Sequence, residues 1–426
     1  MSKIKEVKAR QVLDCKGRPV AEVDIITEKG VLGRAGASTG SSVGANESFV
    51  LRDGDPCVYG GLSVYHAIDN IRNVIAPAII GMDVQDQTAI DETMIALDGT
   101  RYKTKLGGNA IYAVSVAAAK AAAAENGKQI YQNMARKPIS YIMSPSANVI
   151  NGGTYNGKTQ AFQEFMILPH GVRTIEESVR MIVEVFYHLD EVIRKYNGGK
   201  PAMGNSSGCG APSDDPMQVL DIIAEAVNDL GFTDHMVYAL DCASSEYYDA
   251  EKGLYRWRGD YVDRDFIIDQ LAAISRKYPL AFVEDALQEE DFEGFKLASE
   301  RINTVIVGDD FICTSLDRAE KAVSMGAARG MIFKPNQAGT LTEALRTAKF
   351  MMDRGLLVIP SGRAGGTLDS PEKEIAVALG AWVTKTGAPR SGSRTNGFNF
   401  LLRTSEELGV PQTDVMQLEI FKHLHR

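Results

Sequence analysis

Charged side chains stand at the ends of apolar segments in the second half of the chain. Asp241, Glu284, Asp309, Lys334 and Lys385 end or directly follow such segments, as in MVYALD, LAFVED, VIVGDD, GMIFKPN and AWVTKTG. After a longer first interval they recur about every 25 residues, the length of one strand, one helix and two short loops. Residues at the carboxyl ends of consecutive parallel strands share one mouth in a (β/α)₈ barrel. The pattern predicts that three carboxylates and two lysines converge in an active site.

The three acidic residues are the candidate metal ligands. Alone, either aspartate could cap a helix, and Glu284 could form a salt bridge. Together on neighbouring strands, Asp241, Glu284 and Asp309 would repel one another unless a cation lay between them. A set of separate carboxylates suits Mg²⁺, which keeps coordination positions for water and substrate. We therefore predict a magnesium site at these residues.

The two lysines are candidate acid–base groups. A buried lysine needs either a paired carboxylate or a role as a neutral base. Near one Mg²⁺, Lys334 and Lys385 would lower each other's proton affinity, which makes a lysine a usable base near neutral pH. The alternative is that both lysines form salt bridges to the same acids.

Two further residues follow apolar segments in the same way. Arg363, in PSGRAGG, is either an anion clamp that a ligand can approach or a surface arginine. Glu164, in AFQEFMILP, is either an acid–base group or the partner of a lysine. The six histidines lie outside all of these motifs, which predicts a site without histidine.

The elements that would position these residues form two domains. A barrel of roughly 250 residues leaves a sizeable extra domain in a chain of 426 residues. We predict an N-terminal domain at 1–135 with alternating strands at 3–35, a joint at Lys137–Pro145, and the barrel domain at 136–426. Helices are predicted near 62–80, 86–98, 108–126, 174–195 and 216–230, and the tail from Thr404 to its LEIFKHLHR end is predicted to be a terminal helix.

Two segments are rich in glycine and serine. They are Gly36–Ser48, before the predicted helices, and Gly204–Pro212, within the barrel part. The first is too flexible to pack alone, so it is either a linker or a lid that closes over a ligand.

The composition excludes several classes of protein. A net charge of −9 without a basic stripe argues against a nucleic-acid partner. No segment approaches the ~20 apolar residues of a membrane span, and MSKIKEVKAR lacks the apolar core of a signal peptide. The five cysteines are scattered without a CxxC pair, which favours a reduced, cytoplasmic chain without a zinc site.

The ordered motifs of the chain resemble those of the enolase family. LDCKGRPVAEVDI, GASTG, LRDGD, KLGGNAIYAVSVAAAKAAAAENG and NVINGG are followed by QEFMILP, LDCASSEYYD, VEDALQEEDFEGF, IVGDD, FKPNQAGTLTEAL and TKTGAPRSGSR. The resemblance runs from the N-terminus to about residue 409. It implies an N-terminal α+β domain, a C-terminal eight-stranded α/β barrel of the TIM type with a slightly irregular strand order, and a homodimer or higher oligomer.

The resemblance also implies roles for individual residues. Asp241, Glu284 and Asp309 match the principal Mg²⁺ ligands of the family, and Lys334 matches the base that removes the proton α to the substrate carboxylate. The other catalytic residues it implies are Glu164 and Lys385, and the substrate-binding set is Arg363 for the phosphate, the loop serine Ser38 that reaches a second Mg²⁺, Gln163, Ser207 and Tyr155.

The chain departs from the family at the groups that expel the hydroxyl. Ser207 stands at the position of the acid glutamate and Ser206 at the neighbouring aspartate. Tyr155 and Gly362 replace the two family histidines, and Ala364 replaces the phosphate-binding serine. Removing a general acid typically costs about 10²–10⁴ in rate. Asp214 or Asp215 is a candidate replacement for the missing acid.

Three functions follow from this pattern. The leading hypothesis is a Mg²⁺ enzyme that forms or stabilises the enol(ate) of a small phospho- or phosphono-carboxylate without expelling hydroxide, as carboxyphosphonoenolpyruvate synthases of phosphonate pathways handle an enolpyruvate unit. The second is a divergent phosphopyruvate hydratase that interconverts 2-phosphoglycerate and phosphoenolpyruvate. The third is a catalytically silent binding protein, which the retained carboxylates and lysines disfavour.

Overall fold

The N-terminal part of the chain folds as an antiparallel sheet covered by helices. The computed structural model describes residues 2–40, 44–156, 162–367 and 371–425. Its first sheet has the order β1-β2-β3 and is built from β1 Ile4–Leu13, β2 Pro19–Thr27 and β3 Leu32–Gly36. The helices of this part are α1 Tyr65–Asn70, a π-helical turn Ile71–Ile75, α2 Ala76–Ile79, α3 Gln87–Asp98, α4 Gly108–Glu125 and α5 Ile130–Met134.

The alanine-rich helix α4 packs unusually close to the sheet. A Cβ atom added at Gly33 of β3 would lie 2.2 Å from the carbonyl oxygen of Ala117 and 2.3 Å from the backbone nitrogen of Ala121. Glycine on the strand and alanine on the helix therefore allow the two backbones to approach. All but a few residues of α4 are buried, so close packing explains its alanine-rich sequence, and we assign its alanines no catalytic role.

The second part of the chain is an eight-stranded barrel. Its strands lie in the order β14-β13-β12-β11-β7-β5-β4-β15, and a parallel bridge between Ser361 and Lys385 joins the two ends of this path. β5 runs antiparallel to both of its neighbours, which is the irregular order that the sequence motifs imply. The eight barrel strands are β4 Ser144–Asn151, β5 Glu164–Pro169, β7 Met236–Asp241, β11 Leu280–Glu284, β12 Val305–Gly308, β13 Gly330–Phe333, β14 Leu357–Pro360 and β15 Val383–Lys385. The short strand β6 Cys209–Gly210 pairs with β4, and β8 Tyr248–Asp249, β9 Leu254–Trp257 and β10 Asp260–Val262 form a separate sheet.

The barrel helices alternate with these strands over most of the ring. They are α6 Ile175–Asn197, α7 Pro216–Asp229, α8 Arg264–Lys277, α9 Phe292–Arg301, α10 Leu316–Ser324, α11 Pro335–Ala338, α12 Leu341–Met352, α13 Glu372–Leu379 and α14 Gly392–Leu408. The five predicted helices are confirmed to within two or three residues at each end. The predicted α/β fold, with an N-terminal α+β part and a barrel, is also confirmed.

The tail of the chain closes one end of the barrel. Val415–Gln417 and Glu419–Leu424 are 3₁₀ segments, so the prediction of a terminal α-helix was wrong. Ile420, Phe421 and Leu424 pack into the apolar cluster that fills the barrel interior. Tertiary packing of these side chains therefore outweighs helix propensity. His423 Nε2 lies 2.8 Å from the carbonyl oxygen of Leu280 at the start of β11, which places the tail opposite the mouth.

Two residues of the N-terminal part of the chain cap the N-terminal end of helix α12 through hydrogen bonds. Asp91 of α3 accepts bonds from the backbone nitrogen (2.9 Å) and the hydroxyl (2.6 Å) of Thr342. The Ser115 hydroxyl of α4 accepts a bond from the backbone nitrogen of Leu341 at 3.0 Å. The first amides of a helix lack partners within the helix, so these two residues of the N-terminal part supply acceptors that α12 needs. No helix within the described ranges is long and apolar enough to cross a membrane.

Candidate active site

Strand register brings three carboxylates together at the barrel mouth. Asp241, the last residue of β7, pairs with Glu284 of β11 on one side and with Glu164 of β5 on the other. Asp309 directly follows β12, as the repeat predicts. All four side chains are buried, and a buried negative charge costs free energy unless a cation lies near it.

Lys385 supplies one such cation. Its Nζ lies 2.5 Å from Glu284 Oε2, 3.1 Å from Asp241 Oδ2 and 3.2 Å from Glu164 Oε2. Burial disfavours the ammonium, but Asp241 and Glu284 outweigh that effect and raise the pKa of Lys385 well above its usual range. In the same contacts Lys385 lowers the pKa of Glu164, against the effect of its burial.

Lys334 is held by the fourth carboxylate. Its Nζ donates to Asp309 Oδ2, and Gln337 Nε2 donates to Asp309 Oδ1 at 2.9 Å. Burial disfavours the charged lysine, but Asp309 outweighs it and raises the pKa of Lys334, while Arg363 and Lys385 act in the opposite direction. Lys385 thus acts on the pKa of Lys334 in the direction that the sequence predicts, and the lowering of both pKa values beside a bound Mg²⁺ stays a prediction. Both lysines form salt bridges to the same acids, which was the alternative.

The carboxylate set fits a divalent cation. Four carboxylates (Glu164, Asp241, Glu284, Asp309) face two ammonium groups, an excess of two negative charges. Burial and the nearby Asp241 raise the pKa of Glu284 well above its usual range. Oε1 of Glu284 is fully buried without a hydrogen-bond partner, so it has a lone pair available for a metal ion.

A second acidic group lies beside the predicted ligands. One carboxylate oxygen each of Asp285, Asp309 and Asp310 lies within 4.8 Å of the others. Asp285, however, accepts bonds from the backbone nitrogens of Asp309 and Asp310, both at 2.8 Å. Because these bonds already use the oxygens of Asp285 to hold the loop after β12, we prefer the set with Asp241 and Glu284 for a cation.

The predicted anion clamp Arg363 is a buried arginine and not a surface one. Its Nη1 lies 2.6 Å from Glu47 Oε2 and its Nη2 lies 3.0 Å from Glu47 Oε1. The side chains of Arg363 and Glu47 are only 4% and 2% exposed. Burial disfavours the guanidinium charge, but Glu47 outweighs it and raises the pKa of Arg363. Glu47 lies in the glycine-rich segment Gly36–Ser48, of which residues 41–43 fall outside the described ranges.

The pocket at this candidate active site has a volume of about 50 Å³, and we call it the catalytic pocket for the role that we propose below. The predicted residues that line it are Tyr155, Gln163, Glu164, Asp241, Asp309, Lys334, Arg363 and Lys385. Glu284 lies beneath them, 0% exposed. Ser38 is buried with its hydroxyl 3.5 Å from Glu372 Oε1, and Ser38 does not line the pocket.

The positions that depart from the family also lie at the pocket. Ser206, Gly362 and Ala364 line it together with Tyr155, whereas Ser207 does not. Burial and the charge of Glu164 raise the pKa of the Tyr155 phenol, which keeps it neutral. Neither Asp214 nor Asp215 replaces the missing glutamate, because neither residue lines the pocket. Asp215 instead caps α7 by accepting a bond from the backbone nitrogen of Met217 at 2.9 Å.

Several pocket residues carried no signal in the sequence. Asn148 Nδ2 donates to Glu164 Oε1 at 3.0 Å, and Glu246 adds another carboxylate to the wall. Arg394 lines the pocket, although 31 residues separate it from Arg363 along the chain. Asn148 and Gln337 could have been noticed as amides beside an apolar strand and beside Lys334. Glu47 comes from a loop and Arg394 from the first turn of α14, and the approach of both to the mouth depends on the folded chain.

Comparison with known proteins agrees with this architecture. Residues 4–134 match the family model described as the enolase N-terminal domain, and residues 140–415 match the enolase C-terminal TIM barrel domain. The chain is 42% identical over 413 residues to a protein named enolase from Methanopyrus kandleri and 41% identical over 412 residues to one from Methanococcus aeolicus, with 96% of each chain covered. A protein named enolase from Methanosarcina barkeri is 39% identical over 410 residues, which cover 96% of this chain and 95% of that protein.

Proposed function

The chain belongs to the enolase family, and from this premise we propose that it is a Mg²⁺-dependent enzyme that removes the proton α to the carboxylate of a small phosphocarboxylate. The substrate class is that of 2-phosphoglycerate and phosphoenolpyruvate. The observation that carries the proposal is the presence of two buried sets of ion pairs at the barrel mouth. Lys334 pairs with Asp309, and Lys385 pairs with three carboxylates.

Each residue has a proposed role in this reaction. Asp241, Glu284 and Asp309 would hold the cation, which when bound supplies positive charge to stabilise the charge developing on the substrate carboxylate. Lys334 takes the proton from carbon, which requires that substrate binding separates it from Asp309, since an ammonium group is not a base. Arg363 binds the phosphate and Lys385 the carboxylate.

The reaction that the relatives favour is the ordinary one. Proteins about 40% identical over nearly the whole chain bear the name enolase, which supports interconversion of 2-phosphoglycerate and phosphoenolpyruvate better than our leading hypothesis from the sequence. In that reaction Lys334 takes the proton from C2, and the hydroxyl on C3 accepts a proton from an acidic group and leaves as water. Glu164, buried between Asn148 and Lys385, is the carboxyl group that we propose assists the hydroxide. This role requires that substrate binding separates Glu164 from Lys385 and that Glu164 gains a proton, since an ionised carboxylate is not an acid.

The residues that replace the family's acidic, imidazole and hydroxyl groups support the second candidate function. Ser206, Tyr155, Gly362 and Ala364 occupy the part of the pocket where the family has acidic, imidazole and hydroxyl groups, so little remains to expel hydroxide. This pattern supports an enzyme that forms the enol(ate) of a phospho- or phosphono-carboxylate and passes it to a different reaction. The five free cysteines support a reducing, cytoplasmic location, and a homodimer remains a proposal from the family.

One experiment tests both candidates. The protein is incubated with Mg²⁺ and 2-phosphoglycerate in D₂O and followed by phosphorus and proton NMR. Formation of phosphoenolpyruvate supports the ordinary reaction, and deuterium at C2 without phosphoenolpyruvate supports the second candidate. If neither product forms while the protein is folded and binds Mg²⁺, both proposals are wrong for this substrate class.

Lys334→Ala identifies the base in that assay. We expect exchange at C2 to fall by about 10²–10⁴, because the group that accepts the proton is gone. Lys349→Ala is the matched control, since Lys349 forms an exposed pair with Asp353 on α12, far from the mouth in the fold. An unchanged exchange rate in Lys334→Ala would assign the base to another residue.

A further inference from the structure

A second cavity lies directly beside the catalytic pocket. Its volume is about 210 Å³, compared with about 50 Å³ for the catalytic pocket, and one water needs only about 10–15 Å³ by the same kind of measure. Gly362, Arg363 and Arg394 line both spaces, so they form the wall between them. The remaining wall comes mainly from α13 and α14, where Lys373 and Gly397 lie next to each other.

Two glycines in the wall, Gly397 and Gly362, leave space in this cavity. A Cβ added at Gly397 would lie 3.4 Å from Cε of Lys373, and one added at Gly362 would lie 3.6 Å from Nη1 of Arg394. Both distances are ordinary contacts, and neither glycine has a positive φ. The backbone therefore does not require glycine at either position, and the absence of a side chain leaves open space.

Basic side chains outnumber acidic ones in the cavity wall, which favours an anion: Lys120, Arg363, Lys373 and Arg394 line it against Glu372 and Glu374. Lys373 Nζ donates to the Thr384 hydroxyl and to the carbonyl oxygen of Lys385, both at 2.7 Å, which fixes the amine in the wall. The guanidinium of Arg394 makes no hydrogen bond or ion pair with any residue of the described ranges, and it is half-buried. Arg363 is already paired with Glu47. The charge of Arg394 acts on Glu164 in the catalytic pocket, but a half-buried guanidinium without a hydrogen-bonded partner still has donors that an anion would satisfy.

We propose that this second cavity binds the anionic group of a second small molecule, a carboxylate or a phosphate-type oxyanion, held by Arg394 and Lys373 next to the ligand of the catalytic pocket. The chain would then accept two ligands at once across the wall at Gly362. This goes beyond the proposed function and rests on it only for the identity of the first ligand. Binding in the cavity itself depends on no step of that reaction.

The test uses labelled acetate as the probe for the second cavity. The full chain with Mg²⁺ is titrated with ¹³C-acetate while the acetate NMR line width is followed, and the titration is repeated after saturating phosphoenolpyruvate has been added. We expect saturable broadening that phosphoenolpyruvate does not abolish. Loss of the broadening when phosphoenolpyruvate is added would show that acetate binds only in the catalytic pocket, and it would overturn the proposal.

Matched variants locate the site. Gly397→Leu fills the cavity from α14, and we expect acetate affinity to fall at least about tenfold. Asn399→Leu places the same side chain on an exposed position of the same helix and should leave the affinity unchanged. Arg394→Gln should also weaken binding about tenfold, and Arg394→Lys less, because removing a charged hydrogen-bond donor costs on that order. Equal affinity in Gly397→Leu and Asn399→Leu would overturn the proposal.

The two proposals fail in different ways. Thermal unfolding of each variant shows whether it is folded, and Arg394→Gln provides a second variant if Gly397→Leu is not. Deuterium exchange at C2 is measured on the same wild-type sample. Acetate binding without exchange would reject the proposed function and retain the second cavity, and exchange without acetate binding would do the reverse.

Discussion

At the scale of single residues, the charged groups of the mouth neutralise one another in pairs. Lys334 binds Asp309, Lys385 binds Glu284, and Arg363 binds Glu47. The sequence predicted that the first four converge, since each follows a strand that its apolar run identifies. It did not predict the third pair, because 316 residues separate Glu47 from Arg363 and no local pattern marks the glutamate. Long-range pairs of this kind depend on how loops pack after the sheet has formed.

The pair of Glu47 and Arg363 gives a test at this scale. Glu47→Gln leaves the Arg363 guanidinium buried beside a neutral group, and leaving a buried charge partly unsatisfied costs about 1–3 kcal/mol. We expect the unfolding free energy, measured by urea denaturation, to fall by about that amount. Substrate KM should change together with it, since the guanidinium is no longer held in place.

A control separates this effect from a general loss of charge. Glu92→Gln removes the partner of Arg346 in an exposed pair, and its unfolding free energy should change by less than about 0.5 kcal/mol. If both variants lose the same stability, the burial of the Glu47 pair has no special energetic role.

At the scale of elements, local sequence patterns predicted most of the architecture. Apolar runs and glycine stops located the strands of the barrel and five helices, because periodicity and capping are local properties. The terminal segment was assigned the wrong helix type, since contacts with the barrel interior decide its conformation. The closeness of α4 to β3 also needs the folded chain, although Gly33 and the alanines of α4 are its cause.

Gly33→Ala tests the helix–sheet contact. The added methyl group would lie 2.2 Å from a backbone oxygen of α4, so α4 has to shift away from the sheet. We expect a loss of about 1–3 kcal/mol in the unfolding free energy, the usual cost of overpacking. Gly199→Ala is the control, because its added Cβ would meet nothing within 4 Å. Similar stability of the two variants would contradict the close packing.

The three-stranded sheet predicts a pH effect. Asp24 of β2 is bound by Arg34 and Arg10, and the hydrogen bond from Arg34, against the desolvation of the carboxyl, lowers the pKa of Asp24. Because the pKa of Asp24 is lower in the folded protein than the unfolded value of about 3.9, the ionised carboxylate stabilises the folded state above that pH. This stabilisation is lost as the pH falls through the folded pKa.

Asp24→Asn isolates this effect. We expect the variant to have a lower Tm than the wild type at pH 5 to 7, and the difference should narrow as the pH falls below about 4. Differential scanning calorimetry of both proteins across that range is the measurement. A difference in Tm that stays constant with pH would mean that the charge of Asp24 does not contribute.

At the scale of the whole molecule, the two ends of the barrel differ in chemistry. The mouth carries the charged groups, while the opposite end is sealed by the apolar tail with the fully buried Phe421. This division follows the general pattern of such barrels, in which one face serves function and the other serves stability.

Phe421→Ala tests that division. Truncating a fully buried phenylalanine costs about 3–5 kcal/mol, so the unfolding free energy should fall by that amount. The KM for the substrate of the folded variant should change little, because the tail lies opposite the mouth. His423→Ala serves as a milder comparison, since it removes one hydrogen bond to Leu280. A large change in KM with little loss of stability would contradict the assignment.

The acceptors that Asp91 and Ser115 provide to the start of α12 limit how modular this architecture is. The two family models that match the chain end at residue 134 and begin at residue 140, yet a helix of the barrel is capped by residues from the N-terminal side of that boundary. Recombination that exchanged one half for an unrelated partner would leave buried amides without acceptors. The halves are therefore expected to be inherited together, and a chimera should succeed only if the donor half carries equivalent acceptors.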